Sequence, residues 1–192
     1  MSAQFENIPL EDVVSFVEAY PLAWIVPVGA PAEARLMPLM MELDADGKPA
    51  TLLGHLPLKS PATDMLRSNP SAVCLFLGPN AYIPPGWISK PGWAPTWNFV
   101  SLKVTGDLMP DESLTEESVR KVVHHMESRA GSDWTVERVG PRFEHLLRGI
   151  IGFRMRIESL TPRFKTGQDE SEQSYAEILS ALTGHPLRDW MR

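Results

Sequence analysis

The chain has 192 residues, 43% apolar and 22% charged, with a net charge of −6. That length supports one domain with a full core, and the scattered lysines and arginines form no basic run of the kind that meets duplex DNA. No apolar run reaches the roughly eighteen residues of a membrane span, the start MSAQFENIPLED lacks the basic and apolar regions of a secretory signal, and the single cysteine excludes a disulfide framework, so a cytoplasmic protein is expected.

Leu10, Val13, Val14 and Val17 recur at helical spacing, so Pro9 to Tyr20 reads as a helix that Pro21 ends. Leu22 to Val28 reads as a buried strand. Arg35 to Leu43 is apolar around Pro38, as in an edge strand or a strand with a bulge there. Ala45 to Lys48 is a hairpin turn, and Thr51 to Leu56 is the returning strand. Ser60 followed by Pro61 opens a short helix to Ser68. Ala72 to Leu77 is a strand that Gly78-Pro79 is expected to break.

The stretch Leu75 to Val104 holds three of the six tryptophans and five of the eighteen prolines. Left exposed, a loop of that composition invites aggregation. It is therefore expected to be covered by the fold, by a second subunit or by a flat ligand. A strand follows from Trp97 to Met109. Ser113-x-x-Glu116 has capping-box spacing and opens a helix to about Ser128, with Leu114, Val119, Val122, Val123 and Met126 as its apolar stripe. Pro141 to Arg148 reads as a helix, Ile150 to Leu160 as a half-buried alternating strand, and Ser171 to Leu182 as a final helix. Hairpin-joined strands without βαβ alternation or GxGxxG give an antiparallel α+β domain. One domain over 1–192 is expected, with a C-terminal helical segment from about residue 171.

The five histidines, His55, His124, His125, His145 and His185, form no HxxxH or HExxH pattern, so no metal site is expected. Cys74 lies in an apolar run and reads as a small buried hydrophobe. His55 follows Gly54 at a strand end and suits either ligand binding or structure. Lys59 and Ser60 put a cation and a hydroxyl at a helix start, which favours an anion. No residue stands out as a catalytic acid, base or nucleophile.

Two segments are more specific. GPNAYIPPGW (Gly78 to Trp87) and APTWNFVSLKVTG (Ala94 to Gly106) resemble the GPHAYxxPxWY and VPTWNYxxVHVxG segments of the PaiB-like family, labelled FMN-binding negative transcriptional regulators. Gly54-His55, Ile151-Gly152-Phe153 and Phe164-Lys165 with Gln168 resemble further family pieces in the same order. The resemblance implies an antiparallel six-stranded Greek-key split β-barrel with flanking helices. That fold is shared with pyridoxamine-phosphate oxidases and flavin reductases, and it dimerises with FMN in a cleft between subunits. Carried over, the cofactor-binding positions are Arg35, Gly54, His55, Lys59, Ser60, Trp97, Asn98, Ser101, Lys165 and Gln168, with Tyr82, Trp87 and Trp93 near the cleft mouth.

Leu36-Met37-Pro38 stands where the family has HLP, and Asn80 and Lys103 replace two family histidines. Three readings follow: a homodimeric FMN-binding protein that regulates transcription indirectly, an FMN-dependent oxidoreductase, or a split barrel that keeps the fold and has lost flavin. The negative charge and the absence of a helix-turn-helix pattern argue against direct contact with nucleic acid.

Overall fold

The structure, a computed structural model, describes residues 3–191. The expected domain also includes Met1, Ser2 and Arg192, which lie outside the described residues. Five α-helices are α1 (Leu10–Ala19), α2 (Pro61–Ser68), α3 (Thr115–Arg129), α4 (Arg142–Leu147) and α5 (Glu172–Ala181). Seven strands are β1 (Leu22–Pro27), β2 (Arg35–Pro38), β3 (Met40–Leu43), β4 (Pro49–Pro57), β5 (Ser71–Ile83), β6 (Thr96–Pro110) and β7 (Ile150–Lys165). They form one sheet in the order β2-β1-β5-β6-β7-β4-β3, with antiparallel ladders. No helix among the described residues is long and apolar enough to cross a membrane.

The antiparallel α+β class is as expected, with seven strands in place of six. The run from Arg35 to Leu43 divides at Leu39, whose N–H donates to Pro21 O at 2.8 Å and whose side chain is fully buried. Its first half pairs with β1 and its second with β4, so the two halves are the two outer strands of the order. Pro38 therefore sits on an edge, where its missing N–H costs no ladder bond. No ladder among the described residues joins β2 to β3, and the sheet is not closed.

Contacts divide the chain into two compact units. The larger comprises Val14–Phe76 and Lys103–Leu160. Its core is built from Phe16, Ile25, Leu52, Leu56, Phe76 and Phe153, all nearly free of solvent, with the Phe16 and Phe76 rings edge to face at 6.5 Å. The smaller comprises Met1–Val13, Leu77–Leu102 and Thr161–Arg192, and it buries Ile83, Leu102, Phe164, Ile178 and Leu187.

Four local expectations are corrected. Strand β5 continues through Gly78-Pro79 to Ile83. The β1 ladder on β5 ends at Phe76, so Pro79 lies past it and interrupts none of its bonds. Strand β7 likewise runs past Leu160 to Lys165. Ser113 caps nothing: the Asp111 carboxylate accepts from its N–H at 2.8 Å and its hydroxyl at 2.7 Å, making a tight turn before α3. The apolar stripe of α3 is also not a buried face. Its buried residues are Thr115 and Ser118, and Met126 is exposed.

Candidate functional site

In the larger unit, Gly54 and His55 lie on β4 opposite Phe153 and Gly152 of β7. Gly54 is a packing residue. A Cβ there would fall 2.6 Å from Leu39 Cδ2 and 2.8 Å from Phe153 Cζ, closer than carbon atoms approach. His55 is largely buried, and its Nδ1 has no hydrogen-bond partner among the described residues. Burial pushes its pKa below the ordinary histidine range, so the ring is neutral at pH 7. An unpaired buried ring nitrogen is costly unless a bound group or water meets it.

Ser60 caps α2 as expected, accepting from Thr63 N–H at 3.2 Å, and is itself buried. Lys59 beside it is exposed and makes no ion pair among the described residues. Arg35 is already engaged. Its guanidinium pairs with Glu33 at 3.0 Å and donates to Ala34 O at 3.0 Å. Cys74 is fully buried 3.4 Å from Met155 Sδ, and burial pushes its thiol up to about 12. Native protein is therefore expected to leave Cys74 unmodified by a water-soluble disulfide reagent, with reaction following unfolding. Stoichiometric labelling of folded protein would refute the buried placement.

In the smaller unit, the loop between β5 and β6 is fastened at its stem and near its tip. At the stem Tyr82 and Trp97 meet with ring centroids 5.7 Å apart, both rings about half exposed, and Lys165 Nζ donates to Thr96 Oγ1. Further along, Trp93 Nε1 donates to Glu170 at 2.9 Å, and Ser89 N–H donates to Glu177 at 2.9 Å. The fold itself thus holds the tryptophan loop. Glu170 and Glu177 went unnoticed in the sequence because they lie 77 and 88 positions from the residues they hold, beyond any local pattern.

Asn98 is 1% exposed and its Nδ2 lacks a partner among the described residues. Ser101 donates to Arg163 O at 3.3 Å. Gln168 spends its amide on its own loop, accepting from Thr166 N–H at 2.7 Å and donating to Phe164 O at 2.6 Å. It is a loop staple here. The Tyr175 hydroxyl is a further buried atom without a partner, and no sequence signal marked it.

An open antiparallel sheet of seven strands with flanking helices is the architecture of the split-barrel class. Residues 1–159 match the family described as "Putative FMN-binding domain", and the chain belongs to that family. It is 25% identical over 134 residues to the protease synthase and sporulation protein PAI 2 of Bacillus subtilis. That match spans 68% of this chain and 64% of the relative, just under two thirds of the relative's length. Among solved structures it is similar to the flavocytochrome Anf3 from Azotobacter vinelandii, at a TM-score of 0.65 and 18% identity, over 90% of this chain and 75% of that one. It is also similar to an FAD and heme binding protein from Mycobacterium smegmatis, at a TM-score of 0.54 and 12% identity, over 92% and 80%.

FMN is the cofactor this family carries, and residues of the chain suit it. Lys59, without an ion pair among the described residues, stands beside a capped helix start, suited to a phosphate. His55 Nδ1 and Asn98 Nδ2 are polar atoms with capacity to spare, one in each unit. Arg35 and Gln168 fit less well, their polar groups being spent on protein partners.

Proposed function

We propose that this chain is a homodimeric cytoplasmic flavin protein that regulates through a metabolite or protein partner and does not itself grip DNA. The observation that carries the reading is Lys59 at the α2 cap, without an ion pair among the described residues, and, on the preceding strand, a His55 whose Nδ1 has no partner among them. Within the smaller unit, Asn98 is a separate candidate for a ligand contact, through an amide nitrogen without a partner among the described residues. Bound FMN supplies electron-transfer chemistry through its ring. The chain's part is to hold a phosphate at Lys59 and to offer hydrogen bonds from neutral His55. The name of the Bacillus subtilis relative, with its link to protease synthesis and sporulation, supports a regulatory role. The net charge of −6 supports an indirect one.

The dimer is supported by an apolar row on the sheet. Leu36, Trp24 and Leu75 are cross-strand neighbours on β2, β1 and β5, and all three are 42–50% exposed in the single chain. Trp24→Asp is expected to convert a dimer to a monomer in light scattering.

Visible absorption after loading with FMN and desalting tests the flavin reading. One flavin retained per subunit is the expected result, and a colourless protein would end it. Lys59→Glu should weaken FMN by about tenfold or more, because a favourable charge–phosphate contact is replaced by a repulsive one. A second reading, a flavin oxidoreductase, is favoured by the half-exposed Tyr82–Trp97 pair, a platform for a flat substrate. Oxidation of NADH or NADPH by the loaded protein would support it.

A further inference from the structure

Two cavities in the larger unit adjoin, since Leu58 and Glu112 line both. One, about 560 Å³, is the surface around Lys59 and Ser60 at the start of α2, and it also takes in Arg67. The other, about 460 Å³, lies beyond it, between the approach to α3 and the end of α4. Both are open grooves on the surface, roomy enough for one part of a nucleotide. A mononucleotide whose phosphate rests at Lys59 with its ring directed elsewhere leaves the second cavity empty.

The chemistry of that second cavity is mixed in a particular way. Leu58, Leu147 and Ile150 give it an apolar wall, and Ser113, Glu112 and Arg148 give it a hydroxyl, a carboxylate and a guanidinium. Lys59, Arg67 and Arg148 make no ion pairs among the described residues. They face two unpaired carboxylates, Asp64 and Glu112, since Glu116 is held by Arg120 at 2.7 Å. The groove thus carries more unpaired positive than negative charge. An apolar wall suits a flat base, a carboxylate and a hydroxyl suit sugar hydroxyls, and a line of cations suits linked phosphates.

We infer that this groove holds the adenylate half of a flavin dinucleotide, so that FAD gains a foothold here that FMN lacks. The inference rests on the flavin reading above and extends it past the phosphate. FMN would rest its phosphate, intact, against Lys59. FAD adds a second phosphate toward Arg148 and lays its adenine on Leu147 and Ile150.

Equilibrium titration of flavin-free protein with FMN and with FAD, followed by flavin fluorescence, tests it. The expected result is FAD binding at least about tenfold tighter than FMN, with AMP, which carries only the adenylate half, displacing FAD and leaving bound FMN in place. Arg148 is exposed and outside the FMN contacts, so Arg148→Glu should remove most of the FAD advantage and leave FMN affinity within about twofold. Equal affinities for FMN and FAD in the unmodified protein would overturn the inference and leave the FMN reading standing. Failure to bind either flavin would overturn both. The comparison in the unmodified protein does not depend on how the variant folds.

Discussion

Replacing Gly152 by alanine will cost the protein about 3 kcal/mol or more, a fall in Tm of roughly 6–12 °C for a chain of this size. Gly152 lies on β7 opposite His55 of β4, and the approach to α3 crosses directly over it. Its N–H donates to Thr115 Oγ1 at 3.0 Å, and its carbonyl accepts from Asp111 N–H at 2.8 Å. An added Cβ would lie 2.4 Å from Leu114 C and 2.6 Å from Thr115 N. Those atoms are backbone and cannot swing aside as a side chain can. Either the start of α3 lifts, breaking both hydrogen bonds, or β7 shifts against β4. The second movement displaces His55, so weaker FMN binding should accompany the lower Tm. Thermal denaturation followed by circular dichroism checks the prediction, and a change under about 2 °C would show that the crossing has slack.

Loss of Arg154 is expected to be nearly as damaging. Its guanidinium donates to both oxygens of Glu42, at 2.7 and 3.2 Å, and to Glu117 at 2.7 Å. Lys121 reaches Glu42 and Glu117 at 2.8 Å each, and Thr51 donates to Glu42 at 2.6 Å. The cluster ties α3 to β3, β4 and β7. Removing the arginine leaves two carboxylates sharing one lysine. Because Arg154 and Lys121 retain solvent contact, Arg154→Ala should cost about 2 kcal/mol, less than for a fully buried pair.

The same cluster sets an acid limit. The Arg154 guanidinium, with help from Lys121 and Thr51, holds the Glu42 carboxyl down from 4.5 to about 2. A carboxylate whose pKa is lower folded than unfolded stabilises the fold fully above its unfolded value, and that stability is lost as the pH falls through its folded value. The Glu42 contribution is therefore complete above about pH 5 and fades toward about pH 2. In urea unfolding, Glu42→Gln should be less stable than the parent at neutral pH, with the gap narrowing as pH drops through that window. A gap that is constant with pH would mean that the charge on Glu42 does not matter.

The local pattern determined a good deal. Ser60-Pro61 had to start a helix, because a hydroxyl before an N1 proline satisfies the first amides whatever surrounds it, and Ser60 does cap α2. Asp44 holds the hairpin turn from within its own segment, accepting from the N–H groups of Asp46 and Lys48 at 2.9 Å each. Alternation on β7 placed Ile151, Phe153 and Met155 inside and the arginines outside, because side chains on a strand alternate by geometry alone. The motif segments also led to the right family.

Other features depended on neighbours that the sequence does not place side by side. Arg35 to Leu43 looks like one strand, and only its pairing with β1 on one half and β4 on the other divides it at Leu39. Ser113 has the spacing of a cap, but the nearer Asp111 carboxylate takes its hydrogens first. Gln168 sits in a family motif, yet its amide closes its own loop. Glu42 meets Arg154 across 112 positions, and Trp93 meets Glu170 across 77. Spacing rules describe a single helix or strand, whose geometry repeats every few residues. Which charges meet, which glycine has no room for a methyl group, and which buried nitrogen is left unpaired depend on strand order and register, and those exist only once the sheet has formed.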